Sequence, residues 1–396
     1  MLSLLVTIGP IMVVLRHPPP NVNTFTPLTE LTHNEGSNLN PTFSPDGKLI
    51  AFSSNRSGNF DIWLMNTFGR RLVRLTLMPG DELNPKWSPD GKKIAFLLTE
   101  KERTSIWIIT LATLETRSLT EGNKIGNDFQ WNPNSLMLAY DSETNGTRIV
   151  STVDANGHRT QLTQPDSSSK YPSWSPNGDR IAFSSNQFSK SFDIYTMNMN
   201  GNGLRQLTAG SGFNIKPRIN PLGDKILFLS NRTGNWDLWT MNPDGINQSQ
   251  VMKPSGEEAT VGNWKPDVSM DSNLEWDPNG LKIVFTSTPR EDSNEEIFIV
   301  HQPEYKVVVR KFYLPVDDGY NVAVESLQYG VAIEYGGRVV TRISTSLSRE
   351  SMVFMNNLNP CWSPDGKRMI FQSGRDGNFN MWIISFARLI VATSVF

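Results

Sequence analysis

A single cysteine, Cys361, in a chain of 396 residues excludes an internal disulfide and any C-x-x-C redox or metal motif. Only four histidines are present (His17, His33, His158, His301), far apart and at no common position, which leaves a histidine-held metal without a visible cluster. There is no G-x-S-x-G elbow, no phosphate-binding glycine loop and no H-E-x-x-H, so the common hydrolase, nucleotide and metalloprotease signatures are missing. Charge of one sign is also lacking. Thirty-seven Lys and Arg against 39 Asp and Glu give a net charge of −2, with no basic run to follow a nucleic-acid backbone. Long apolar runs are absent but for Leu2–Leu15 (LSLLVTIGPIMVVL), which is short for a membrane span and of the length of a signal-peptide core. No Lys or Arg precedes it and no small-x-small cleavage site follows, so an N-terminal anchor and a buried strand stay open beside export. Residues 1–24, ending in the stiff Pro18-Pro19-Pro20 spacer, are accordingly set apart from a domain over 25–396.

What the chain has in abundance is repetition. The stretch Asn40–Thr76 (NPTFSPDGKLIAFSSNRSGNFDIWLMNTFGRRLVRLT) returns at Asn84–Thr120, and looser copies follow to Ile384. Prolines 45, 89, 133, 176, 221, 278 and 364 mark the SPDG-type turns, spaced 44, 44, 43, 45, 57 and 86 residues apart. A period of 40–45 residues holding four short strands is the mark of a propeller blade. Two residues before each turn proline stands an aromatic (Phe43, Trp87, Trp131, Trp174, Trp276, Trp362), with Ile219 the exception. After the turn come unbroken triplets such as Ile50-Ala51-Phe52 and Ile181-Ala182-Phe183, which suit strands covered on both faces. The expected fold is therefore all-β, a β-propeller of four-stranded antiparallel blades. Because the 86-residue interval is twice the period, eight blades are favoured over seven plus an insertion. The hidden turn is placed at Asp318–Ser326, and Arg338–Ser344 echoes a fourth strand. Phe25–Thr32 matches the Leu-Thr strand that ends each repeat, and is expected to complete the last blade in preference to Ser385–Phe396.

The wording SPDGkxIAFxSxRxGxxDIxxM…LT resembles the WD-like repeat of TolB-type propellers, over roughly residues 27–384. The resemblance implies the propeller and a place outside the cytoplasm, periplasmic or otherwise. It leaves activity open, because propellers of this kind also serve as binding modules, lyases and peptidase lids. TolB proteins carry an N-terminal α/β domain for which there is no room before Thr26, so their envelope role is not carried over.

The repeated features invite a structural explanation before a functional one. Six aromatics at one position point to packing. Arg56, Arg232 and Arg375 recur in S-x-R-x-G and are expected to pair locally, while the sequons at Asn55 and Asn231 are spelled by the repeat itself. One constellation departs from the pattern: Asp271, Asn273, Glu275 and Asp277 alternate oxygen ligands beside an acidic run, a weak calcium candidate against an acidic, solvated blade edge. No cofactor is otherwise expected.

Function is left to the loops that vary. The 1–2 and 3–4 turns of a propeller share one face, here called the turn face. The 2–3 and 4–1 loops share the other, at the mouth of the central channel. Asn40, Asn84, Asp128, Lys170, Tyr171, Lys216 and Asn359 fall at or just before the first strands on that second face. They offer hydrogen bonds without a nucleophile and base. The expectation is a non-enzymatic exported protein that binds a protein or peptide there; a carbohydrate-binding or carbohydrate-active propeller is the alternative.

Overall fold

In the computed structural model, the described residues are 29–32, 36–120, 124–210, 212–251, 267–268, 274–288, 296–301, 331–335, 338–343, 357–375 and 378–385. They form six four-stranded antiparallel sheets and one of six strands, each packed against the next. Blade I comprises Asn38–Phe43, Leu49–Ser54, Asp61–Asn66 and Val73–Arg74. Blades II to V follow in the same way, from Asp81–Trp87 to Ser249–Gln250. Sheet VI runs from Asp267–Val268 to Arg338–Ile343, and the closing blade, VII, contains Asn357–Trp362, Arg368–Arg375 and Asn378–Ser385.

The SPDG turn is built as its residues dictate. Gly47 takes φ +69° and donates to the Ser44 carbonyl, while Ser44 Oγ accepts the Leu49 N–H and donates to Asp46. The second strands are dry on both faces: Ile50, Ala51 and Phe52 are fully buried, as are Ile181, Ala182 and Phe183. The Leu-Thr ending has a hydrogen-bonding explanation. Thr76, Thr120, Thr163 and Thr208 each turn Oγ1 back to accept the third-strand N–H of Ile62, Ile106, Val150 and Ile194, where the fourth-strand ladder has run out.

The same bond closes the ring. Thr29–Glu30 pairs with the third strand of blade VII, Leu31 N–H donates to Met381 O, and Thr32 Oγ1 accepts the Met381 N–H at 2.8 Å. The N-terminal strand thus takes the fourth position of the last blade; the segment beyond Ser385 lies outside the described residues.

The expected eight blades are corrected to these six regular blades and sheet VI. Arg338–Ile343, read as the fourth strand of a hidden blade, pairs directly with Glu296–His301 and so belongs to sheet VI itself, with Val331–Tyr335 added outside it. The candidate turn at Asp318–Ser326 lies outside the described residues. Sheet VI fills one position in the ring. Its Leu274, Trp276 and Phe285 pack on Leu227, Leu229 and Leu238 of blade V, and its Val284 packs on Trp362 and Phe371 of blade VII.

Candidate functional site: the central channel and its mouth

A channel of about 430 Å³ runs between the first strands, lined by residues of all seven sheets. Its walls are set by a local irregularity in those strands. Asn40, Asn84, Tyr171, Lys216 and Asn359 each precede a proline and each have a left-handed backbone (φ 49–58°) at a break in strand register. Asparagine tolerates that conformation better than most residues, and an extra residue there bends the strand. The freed N–H is caught by the preceding blade: Asn40 donates to Gln372 Oε1, Tyr171 to Asp141 Oδ1 and Lys216 to Ser184 Oγ. Five of the seven anticipated contact residues therefore have a structural duty that the sequence did not reveal.

The structure divides those seven into two groups. Asn40, Asn84, Asp128 and Asn359 line the channel, whereas Lys170, Tyr171 and Lys216 do not. Lys216 is only 9% exposed, with Nζ 5.4 Å from the Tyr171 ring centre, and Lys170 Nζ lies 5.2 Å over Phe192. These two cation–aromatic pairs adjoin a row of rings, Phe192, Phe213 and Trp236, whose centres are about 6.5 Å apart.

Just past the bulges lies a position of which the sequence singled out only Glu275, and that as a calcium candidate. Thr42, Lys86, Gln130, Ser173, Arg218, Glu275 and Cys361 each stand immediately before the first-strand aromatic or its Ile219 substitute, and all seven line the channel. They form a collar of one side chain per sheet. The aromatics behind them are mortar. Trp131, Trp174 and Trp276 are buried, and each indole N–H donates to the carbonyl of a collar residue in an earlier sheet: Lys86, Gln130 and Arg218 respectively. Trp87 is the exception to full burial, being half-buried against the cluster between blades I and II.

Charges of both signs meet in the collar. Arg218 pairs with Asp128, donates to Pro217 O and spans ninety positions of sequence to do so. Burial pushes the Glu275 carboxyl up to about 7, against the opposing pull of Lys86, the Trp362 N–H and Arg218. Burial and then the charge of Glu275 push the Cys361 thiol up to about 12, which leaves it a poor nucleophile at neutral pH. A second buried carboxylate, Glu82, lies between blades I and II. Burial raises its pKa, while Thr76 Oγ1 and the Met78 N–H donate to it.

Only half of the calcium candidate falls on described residues. Asp271 and Asn273 lie outside the described residues, Glu275 belongs to the collar, and buried Asp277 replaces the turn serine, accepting the N–H groups of Leu281 and Lys282. Among the described residues no group of three or more His, Cys, Asp or Glu could hold a metal ion. The repeated arginines behave as anticipated where described: Arg56 bonds Ser54 and Asn38 over the Trp63 ring, and Arg232 does the same with Ser230, Asn214 and Trp239. Asn55 and Asn231 accept backbone N–H groups of the adjoining loop.

The raised Glu275 pKa has a signed consequence. A carboxyl whose folded pKa lies above its ordinary 4.5 favours folding most when protonated; this contribution is lost as pH rises from about 4.5 to 7, then stays level. Glu275→Gln should therefore gain on the wild type across that window. The gain is expected to reach about 1–3 kcal/mol above pH 7, discounted because the group faces an open channel. Urea denaturation at pH 4.5, 6 and 8 checks it; a gap that is constant with pH would refute the assignment.

Repeated four-stranded sheets about a collared channel define a β-propeller, and the particular kind follows from comparison. The chain belongs to the TolB beta propeller domain family, which matches residues 22–176 and 158–273. An uncharacterised protein of Agrobacterium fabrum is 28% identical over 162 residues, covering 41% of this chain and 50% of that one. The Tol-Pal system protein TolB of Francisella tularensis subsp. mediasiatica is 27% identical over 170 residues, covering 42% of this chain and 36% of its own. The chain thus spans half or less of the length of these curated relatives. Among solved structures, an oligogalacturonate lyase from Vibrio parahaemolyticus superposes with a TM-score of 0.63 at 16% identity, over 90% of this chain and 93% of that one, a likeness of fold. No helix among the described residues is long and apolar enough to cross a membrane.

Proposed function

We propose that this chain is a binding propeller working outside the cytoplasm, and that it takes a protein or peptide at the channel mouth. The observation that carries the reading is the collar. On a scaffold that repeats its turns and its core, one position per sheet changes from blade to blade and gathers Lys86, Gln130, Arg218 and Glu275 around a single opening. Such a set distinguishes one partner from another by charge and hydrogen bonding. Burial pushes the Cys361 thiol up and Arg218 is engaged with Asp128, so the described residues of the opening supply groups suited to recognition. The aromatic row beside Lys170 extends the same face. The apolar Leu2–Leu15 stretch and relatives named as Tol-Pal system proteins support a place in the cell envelope.

The test uses the side chain that the ring itself substitutes. Lys86→Gln places at blade II the residue that blade III already carries as Gln130. It should weaken binding to the partner captured on the immobilised chain at least about tenfold, the loss of one charge-assisted contact. The melting temperature should stay unchanged at about pH 5, where Glu275 is protonated in the fold and Lys86 has no carboxylate to attract, and Asn177→Arg on the turn face should bind as wild type does. Equal binding by Lys86→Gln, or turnover of an acidic oligosaccharide by the wild-type chain, would overturn the reading.

A further inference from the structure

The face opposite the mouth carries a feature that the binding reading leaves unused. Its turns hold exposed large apolar side chains, at least one in each of blades I, II, III and V at 60% exposure or more: Phe68 (77%), Leu114, Leu136, Leu222 and Ile246. The mouth face also exposes Leu77 and Phe188, and apolar side chains set singly need no explanation; around Phe68, however, Leu72 and Val73 are exposed as well, within five positions of it. Beside the most exposed of them, Arg70 and Arg71 extend into solvent, while the nearby turn carboxylate of Asp46 is occupied by Ser44 and Lys48.

The way the chain enters the fold selects the occupant. A fourth strand runs from the turn face towards the mouth face, so Thr29, at the start of the closing strand, is reached from the turn face. The Phe68 turn leans on that strand: a Cβ on Gly69 would come within 2.7 Å of the Leu31 carbonyl. The sequence that leads into Thr29 contains the apolar Leu2–Leu15, separated from it by thirteen residues, a reach of about 45 Å at most. We infer that the turn face, centred on Phe68, Arg70 and Arg71, rests on an anionic lipid surface, with the mouth directed away from it. Aromatic and leucine tips enter the headgroup layer while the two arginines meet lipid phosphates, a pairing in which either signal alone holds weakly. The inference is independent of which partner the mouth takes.

Probes placed on the two faces of the full chain test it. In a Cys361→Ser background, Phe68→Cys and, separately, Phe188→Cys (70% exposed, in a 2–3 loop on the mouth face) are labelled with an environment-sensitive fluorophore. Each is mixed with vesicles containing one-third phosphatidylglycerol and a spin-labelled lipid quencher. Lipid quenching is expected at position 68 and to be at least about threefold weaker at position 188. Arg70→Glu with Arg71→Glu, or pure phosphatidylcholine vesicles, should lower the signal at 68 by half or more. Equal quenching at the two positions would overturn the inference, because any tether at the N-terminus alone would allow it. So would quenching at 68 that ignores both charge reversal and lipid charge, or a protein that covers position 68 while lipid leaves it unquenched.

Discussion

Trp131→Ala should destabilise the chain by about 3–5 kcal/mol, the usual result of emptying a large aromatic site. The side chain is buried among Phe129, Leu138, Tyr140 and Ile125 at the junction of blades II and III. Its indole N–H also donates to the Lys86 carbonyl at 3.0 Å, so the same residue fills the core and ties one collar strand to the next. Trp131→Phe separates the two contributions. It keeps most of the apolar volume but leaves that carbonyl without its donor, and roughly 1–2 kcal/mol is expected. Half-buried Trp87 should lose less than Trp131 on truncation to alanine. Urea denaturation followed by intrinsic fluorescence gives the order. If Trp131→Ala proves as stable as the wild type, the girdle of first-strand aromatics is not what holds the blades together.

The propeller was legible because each of its parts is local. The SPDG turn needs a glycine at positive φ and a serine that caps its own strand, and both are written within six residues. The Leu-Thr ending was legible as a pattern but not as a mechanism. Only the fold shows that the threonine replaces a missing ladder bond, in blade VII as in blades I to IV. The blade count was not legible for a physical reason. Strand sequence records that a segment pairs, not with which neighbour, and RVVTRI can extend an existing sheet as readily as it can finish a new one.

The candidate site was legible in part. Variable loops pointed to the face on which the channel opens, and four of the seven residues anticipated there line it. Five of those seven precede a proline, a position that changes from Asn to Tyr171 and Lys216. That change concerns a left-handed bulge rather than a contact. Two residues further on, the collar changes more, from Thr42 to Lys86 to Glu275, beside an aromatic that hardly changes at all. A variable position next to a constant one was the available signal. The Arg218–Asp128 pair left no such trace, since nothing in either segment names a partner ninety residues away.

Loss of the closing strand should be the other large effect. Deleting Phe25–Thr32 removes buried Leu31 from a cluster with Phe43, Phe52, Met65 and Ile370, which joins blade VII to blade I. It also removes the Leu31–Met381 backbone bond and leaves the Met381 N–H without Thr32 Oγ1. A leucine site emptied in a core is worth roughly 2–5 kcal/mol and each hydrogen bond about 0.5–1.5, so a loss on the order of 5 kcal/mol is expected. The third strand of blade VII, Asn378–Ser385, would then present an open edge to other chains, so aggregation should accompany the lower melting temperature. Single substitutions divide the effect: Leu31→Ala should account for the larger share and Thr32→Val for the smaller. Trimming Ser385–Phe396 provides the comparison and should lower the melting temperature far less. Equal melting temperatures for the two truncations would mean that the ring does not depend on its N-terminal strand, whatever pairing that strand makes.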